Sequence, residues 1–246
     1  MIKENMSVVL IAHNEEDVIE KMVRGTLSGY RDKILEIVVV DDSSTDNTSR
    51  IVESIAKEEN KVRLIRKGEP SGVGYAIKTG FKNVDANAEY VLTMDSDFID
   101  SLGEISRLIK KMDEGVYDGV IGSRFMKGGK LVDYPFRKKM MNRFFHLITG
   151  LLFGIKQKDL TNNFKLYKIE IIRGLPWHSG DFSINAETGM LPILAGYRIA
   201  EVPVSWIGRK KDMGRSKFRL FKVGWGYVKV ILYAHDFLKQ KYTCKR

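Results

Sequence analysis

Apolar and polar positions change rhythm repeatedly through the first 122 residues. Short apolar-rich runs at 7–12, 34–40, 62–66, 90–94 and 116–121 have strand length, while residues 15–27, 46–59, 71–83 and 102–114 carry apolar positions at helical spacing. The strand runs do not alternate strictly with polar residues, as strands buried on both faces do not. The pattern therefore predicts repeated βα units: an α/β fold with a mostly parallel central sheet and helices on both faces. Ligands of such sheets bind beyond the carboxyl ends of the strands. The residues that follow each run are the ones to examine.

Those residues are acidic. The run at 34–40 leads into Asp41-Asp42-Ser43-Ser44-Thr45-Asp46, and the run at 90–94 into Asp95-Ser96-Asp97. Neighbouring carboxylates repel one another unless a cation or a hydrogen-bonding ligand offsets their charge. A hard divalent ion bound through oxygen, Mg²⁺ or Mn²⁺ shared with a phosphate, fits both strand ends. Asp46 suits a helix N-cap, a structural reading that leaves Asp41, Asp95 and Asp97 unexplained.

The second half of the chain carries the opposite charge. Residues 1–122 hold 16 basic and 23 acidic side chains, net −7, whereas residues 123–246 hold 25 and 8, net +17. Within 123–143 alone, Arg124, Lys127, Lys130, Arg137, Lys138, Lys139 and Arg143 face a single acid, Asp133. This basic run passes into Met140, Met141, Phe144, Phe145, Ile148, Leu151 and Leu152, and the tail sets Arg219 and Lys222 beside Phe218, Leu220, Phe221, Trp225 and Tyr227. Such basic amphipathic stretches lie on membrane surfaces, or pack on a core with their lysines in water. Spanning is excluded, since the longest uncharged stretch, 144–155, has 12 residues against about 20 needed.

Composition narrows the class further. With 43% hydrophobic and 29% charged residues the chain is an ordinary globular protein. Its one cysteine, Cys244, allows no internal disulfide and suits a reducing compartment. A basic half calls for an anionic partner: nucleic acid, acidic lipid or a phosphorylated small molecule.

The motif run Val8-Val9-Leu10-Ile11-Ala12-His13-Asn14-Glu15-Glu16, then Val38 to Asp46, then Met94-Asp95-Ser96-Asp97 resembles the family-two glycosyltransferases of GT-A fold. Within them it is most similar to the dolichyl-phosphate mannose synthase group. Gly122-Ser123-Arg124 with Gly128-Gly129, the segments 159–165 and 196–204, and Gly214-Arg215-Ser216-Lys217-Phe218 extend the likeness in the family's order over about residues 6–220. The resemblance implies a catalytic domain over 1–220, with a nucleotide-sugar and metal half (1–122) and an acceptor half (123–220), followed by a basic amphipathic tail (221–246).

It further implies that Ala12, Asn14, Glu15 and Asp41, with Asp42 beside them, hold the nucleotide, and that Asp95 and Asp97 hold Mg²⁺ or Mn²⁺ on the donor diphosphate. Arg124 and Lys138 fall where two basic residues grip the acceptor phosphate, with Ser123 and Arg137 adjacent. Asp159 is placed near the reacting sugar, to orient it or shape the pocket, with a structural cap as the alternative. The implied reaction is transfer of a sugar, mannose from GDP-mannose, to a dolichyl or other polyprenyl phosphate with inversion, by an enzyme held peripherally on the cytoplasmic face of a membrane, with or without an anchoring subunit. Four positions depart from the pattern. Ile11 and His13 stand for the usual Pro and aromatic, Ile99 stands for a Gln that adds a metal ligand, and Lys138 stands for an Arg.

Two other readings compete. A transferase acting on a neutral hydroxyl, of a saccharide, protein or lipid, would need a carboxylate base, for which Asp159 and Glu187 are candidates. A nucleic-acid-binding protein would suit a pI of about 9.5, but the basic half has no aromatic Gly-rich RNA motif, no helix-turn-helix signature and no metal-spaced Cys and His. No nucleic-acid partner is expected.

Overall fold

The computed structural model describes residues 1–207 and 220–243. β1 (Met6–Ala12) leads through α1 (Ile19–Tyr30) to β2 (Ile34–Asp42), then α2 (Thr48–Glu58), β3 (Val62–Lys67), α3 (Val73–Asn83) and β4 (Tyr90–Asp95). A 3₁₀ turn (Ile99–Glu104) continues into α4 (Ile105–Met112), β5 (Gly119–Ser123), the short β6 (Lys130–Val132) and the long α5 (Phe136–Phe153). β7 (Lys165–Lys168), α6 (Ile169–Gly174), α7 (Ile184–Ala195), β8 (Ile199–Pro203), β9 (Ser205–Ile207) and α8 (Leu220–Thr243) complete the described chain.

Seven strands form one sheet in the order β3-β2-β1-β4-β7-β5-β8, and β6 pairs with β9 in a separate ribbon. All neighbours in the large sheet run parallel except β7, which is antiparallel to both β4 and β5. The predicted parallel α/β sheet is therefore present, with one reversed strand inserted at its centre. That strand reads Lys-Leu-Tyr-Lys, too short and too charged to stand out in the apolar pattern.

The core lies on both faces of the sheet. One side packs α1, α2 and α4 through Met22, Val23, Ile55, Leu108 and Ile109 against Val8, Leu10, Val39 and Leu92. The other packs α3, α6, α7 and α8 through Ile77, Phe81, Ile171, Met190 and Val230 against Val9, Val91 and Tyr167. At α3, a Cβ on Gly74 would lie 2.4 Å from the Ser179 carbonyl oxygen. Only glycine lets the Gly74 N–H reach the Gly180 carbonyl at 3.1 Å.

The expected tail, 221–246, falls largely within α8. This helix buries Tyr227, Val230 and Ala234 against the rest of the protein. Cys244, Arg219 and the motif at 214–218 lie outside the described residues, as do the side chains of Leu220, Phe221 and Lys222. Among the described residues no helix is long and apolar enough to cross a membrane.

Candidate active site

β1 and β2 end side by side, with Ala12 opposite Asp41, and the two loops that follow are bonded to each other. The Asn14 N–H donates to Ser44 Oγ at 2.8 Å, and Asn14 Oδ1 accepts the Thr45 N–H at 2.7 Å. Asn14 and Ser43 take left-handed backbone conformations, φ 56° and 61°. Asn tolerates this through local hydrogen bonding. The Glu15 N–H donates to Thr48 Oγ1 at 2.8 Å, and His13 Nδ1 donates to the Asp42 carbonyl at 2.6 Å. Asp46 accepts both the N–H and the hydroxyl of Thr48, but the N-cap of α2 is Asn47, so Asp46 stands one residue before the cap position expected of it.

Asp41 is buried, taking the Ser44 N–H at 2.9 Å and the Ser49 hydroxyl. Asp42, also buried, pairs with Lys67 at 2.8 Å and accepts the Gly72 N–H at 2.7 Å and the Ser71 hydroxyl at 3.1 Å. Ala12, Asn14, Glu15, Asp41 and Asp42 thus converge at one strand edge. Several of their polar atoms already shape the loops.

The β4 end contributes Asp95, and Asp97 follows in the turn. Burial first, and then the neighbouring Asp97, push the Asp95 carboxyl above its usual range; Asn163, Lys138 and Arg124 oppose this. Asn163 Nδ2 donates to Asp95 Oδ1 at 2.9 Å, and Thr93 Oγ1 holds the Asn163 carbonyl at 2.5 Å. A buried carboxyl raised in part by a neighbouring carboxylate fits a divalent cation, which would relieve that repulsion. Among the described residues no cluster of three or more His, Cys, Asp or Glu is placed for a metal. An ion here would take its remaining oxygens from phosphate and water. Ile99 packs against the core, which removes the extra ligand seen in the resembling synthases, and Asp100 is exposed.

Arg124 and Asp159 form a buried, forked ion pair: Nε to Oδ2 at 2.7 Å and Nη2 to Oδ1 at 2.8 Å. The Arg124 N–H adds a third bond to Oδ2 at 2.9 Å, and Nη2 reaches Thr161 Oγ1 at 3.1 Å. Although burial works the other way, Arg124 lowers the Asp159 pKa below its ordinary value. Asp159 is therefore a held anion that orients Arg124. Glu201 supports it from behind, accepting the N–H groups of Lys158 and Asp159 at 2.8 and 3.0 Å. Ser123 is fully buried at the end of β5.

Lys138 lies in the first turn of α5, where its ammonium sits 5.2 Å from the Tyr134 ring and 5.7 Å from that of Trp206. Burial first, and then Arg124, push its pKa down to about 8, while Asp95 and Asp97 pull it up. The same four groups appear in the electrostatics of Asp95. The structure thus gathers the predicted acidic pair and the predicted Arg124 and Lys138 into one site. Arg137 is exposed one residue away.

The sequence did not single out Tyr134, Asn142, Asn163 or Lys165. Tyr134 stacks edge-on to Trp206 at 4.9 Å and lies 5.6 Å from the Arg124 guanidinium, walling the cationic side. Asn142 Nδ2 donates to the Tyr134 hydroxyl at 2.7 Å, and the Tyr227 hydroxyl of α8 donates to Asn142 Oδ1 at 3.4 Å. Lys165, fully buried on β7, donates to the Asn185 carbonyl and Thr188 hydroxyl of α7 at 2.8 and 3.0 Å. A lysine and two asparagines inside otherwise apolar or aromatic segments were the available signals.

Residues 7–175 match the family described as glycosyl transferase family 2. An undecaprenyl-phosphate mannosyltransferase of Micrococcus luteus is 28% identical over 83% of this chain and 85% of its own. A polyprenol monophosphomannose synthase of Mycolicibacterium smegmatis is 27% identical over 78% and 76%. The glucosyl-3-phosphoglycerate synthase of Mycobacterium tuberculosis, solved with Mn²⁺, UDP and phosphoglyceric acid, superposes with a TM-score of 0.69 at 18% identity, covering 94% of this chain and 78% of that one.

Proposed function

The chain belongs to glycosyl transferase family 2, and from that premise we propose that it moves a sugar from a nucleoside diphosphate donor to a polyprenyl phosphate. The observation that carries this reading is the meeting of a half-buried carboxylate pair, Asp95 and Asp97, with two cations, buried Arg124 and half-buried Lys138. The similarity to an undecaprenyl-phosphate mannosyltransferase and a polyprenol monophosphomannose synthase supports the acceptor class and favours mannose, with GDP-mannose as the donor.

Asp95 and Asp97 would hold Mg²⁺ or Mn²⁺, which supplies Lewis-acid stabilisation of the departing diphosphate. The Ala12–Glu15 and Asp41–Asp42 loops would take the nucleoside. On the other side Arg124, fixed by Asp159, and Lys138 would grip the acceptor phosphate, with Arg137 and the Ser123 region beside them. The first turn of α5 holds three basic residues and no acid, an arrangement that opposes the helix dipole unless an anion sits there. A phosphate monoester with a second pKa near 6 is largely dianionic at neutral pH. It attacks without a general base, in a single displacement with inversion.

The hydroxyl-acceptor alternative needs a free carboxylate, and neither candidate offers one. Asp159 is committed to Arg124, and both oxygens of buried Glu187 accept the His178 and Ser179 N–H groups at 2.6 and 2.8 Å. The test is incubation of radiolabelled GDP-mannose with a polyprenyl phosphate in Mn²⁺. An organic-soluble, mild-acid-labile product is expected, and Asp97→Asn abolishes it without lowering the melting temperature. An acid-stable glycoside, or an unchanged rate in Asp97→Asn, would refute the assignment.

A further inference from the structure

A second cavity of about 740 Å³ opens between α3 and the end of α6, away from Asp95, Asp97, Arg124 and Lys138. Its floor is apolar, with Phe81, Val84, Ile172 and Leu175 beneath Trp177. The Trp177 ring packs on Phe81 at 5.7 Å and is pinned by its Nε1 donating to the Ile172 carbonyl at 2.9 Å. Its rim is cationic: Lys78, Lys82 and Arg173 stand around it with Lys67, against one carboxylate, Glu69.

The rim groups differ in what they already hold. Lys67 is spent on Asp42 and the carbonyls of Gly68 and Pro70, so it is a wall. Among the described residues Arg173 makes only long contacts, 3.3 and 3.4 Å, to the carbonyls of Asp85 and Ala86. Lys78 donates to the His178 carbonyl at 3.0 Å and lies 4.7 Å from the Tyr75 ring. Burial and the charge of Lys82 push its pKa down, against the pull of Glu187. An anion between Lys78 and Lys82 would relieve that repulsion. The half of the chain that supplies most of this rim is net acidic, so the local excess of positive charge is not the spillover of a generally basic surface.

We propose that this cleft binds an amphiphilic anion, a phosphate head on the Lys78, Lys82 and Arg173 rim with an apolar body over the Trp177 floor. The volume lies within the range of small-molecule sites, about 300–1,000 Å³. An apolar floor under a charged rim selects against both a bare phosphate and a neutral lipid. Head group and apolar body must be present together for both surfaces to be used. The site shares the Lys67 wall with Asp42 of the nucleotide loops but includes none of Asp95, Asp97, Arg124 and Lys138, and its occupancy does not depend on the transferase reading.

The probe is dodecyl phosphate below its micelle concentration, titrated into the full chain carrying Trp206→Phe and Trp225→Phe, so that Trp177 is the sole indole reporter. A saturable change in Trp177 emission is expected, weakened at least tenfold by Lys82→Glu with Arg173→Glu and unchanged by Lys138→Ala. Inorganic phosphate and dodecanol should each bind at least tenfold more weakly than the joined molecule. Unaltered emission, a titration indifferent to the rim pair, loss of the signal in Lys138→Ala, or equal binding of inorganic phosphate each overturns the proposal. Both rim side chains are exposed, and a circular-dichroism melt checks that the variant is folded.

Discussion

At the scale of single residues, the site is built from charges that are expensive to bury and are therefore held in place. Breaking a buried pair strands the remaining charge at a cost of about 3–5 kcal/mol, so the forked Arg124–Asp159 contact keeps the guanidinium where a phosphate would find it. The sequence showed both residues but not that they meet, because 35 positions separate them and only the β5–β7 pairing brings them together. Lys165 was less legible still, a lysine inside a strand. Burial, reinforced by Arg124 and opposed by Asp159 and Asp95, pushes its pKa down to about 7. In the unfolded chain it titrates near 10.4. Between those values the unfolded state holds a proton that the folded state has released, so stability attributable to Lys165 rises with pH across that window, by at most about 1.4 kcal/mol per pH unit. Below pH 7 it contributes no slope. Urea unfolding of wild type and Lys165→Met from pH 7 to 10 tests this: the stability difference between them should shift toward wild type as pH rises. A difference that stays constant across that range would mean the folded lysine keeps its proton.

At the scale of elements, α5 has its polarity inverted. Its buried positions include Asn142, His146 and Thr149 beside Phe145, while Phe136, Met140, Phe144, Leu147 and Leu151, spaced along one face, are 53–78% exposed. Trp225, Val228 and Leu232 of α8 are exposed as well. The stripe read from the sequence mixed these two faces, since Phe145 turned inward to pack on Tyr227 at 4.6 Å and Met141 and Ile148 are half-buried. Periodicity alone could not choose a face, because the inward polar groups are satisfied partly by their own helix, Thr149 Oγ1 donating to the Phe145 carbonyl at 3.0 Å, and partly by tertiary partners, His146 Nε2 accepting the Leu160 N–H at 2.7 Å. A row of exposed Phe and Leu next to Arg137, Lys139 and Arg143 matches an anionic bilayer. Each inserted side chain contributes about 1.5–3 kcal/mol. Phe144→Glu with Leu151→Glu should therefore reduce co-sedimentation with phosphatidylglycerol vesicles at least a hundredfold while leaving binding of GDP unchanged. Equal sedimentation of variant and wild type would assign the stripe to another partner.

At the scale of the whole molecule, the proposed function makes the division of charge along the sequence a division of labour across the sheet. The parallel βα half was legible because its strands are long and apolar; the reversed β7 was not, because four residues flanked by lysines carry no periodic signal. That reversal places Asn163 and Lys165 next to β4 and draws the basic half of the chain up to the acidic one. An acidic strand edge repels a nucleoside diphosphate unless a divalent cation intervenes, whereas the basic edge attracts a phosphate unaided. The two substrates should then respond to different perturbations. Chelation with EDTA is expected to weaken GDP binding at least tenfold and to leave binding of a short, water-soluble isoprenyl phosphate unchanged. Raising KCl from 50 to 500 mM shortens the screening length from above 10 Å to below 8 Å, and it should weaken the isoprenyl phosphate several-fold. Calorimetric titration of each ligand under both conditions reads the two effects separately. Chelation that weakens both ligands alike would mean that the acceptor phosphate also depends on the metal, and the assignment of separate acidic and basic edges would fail.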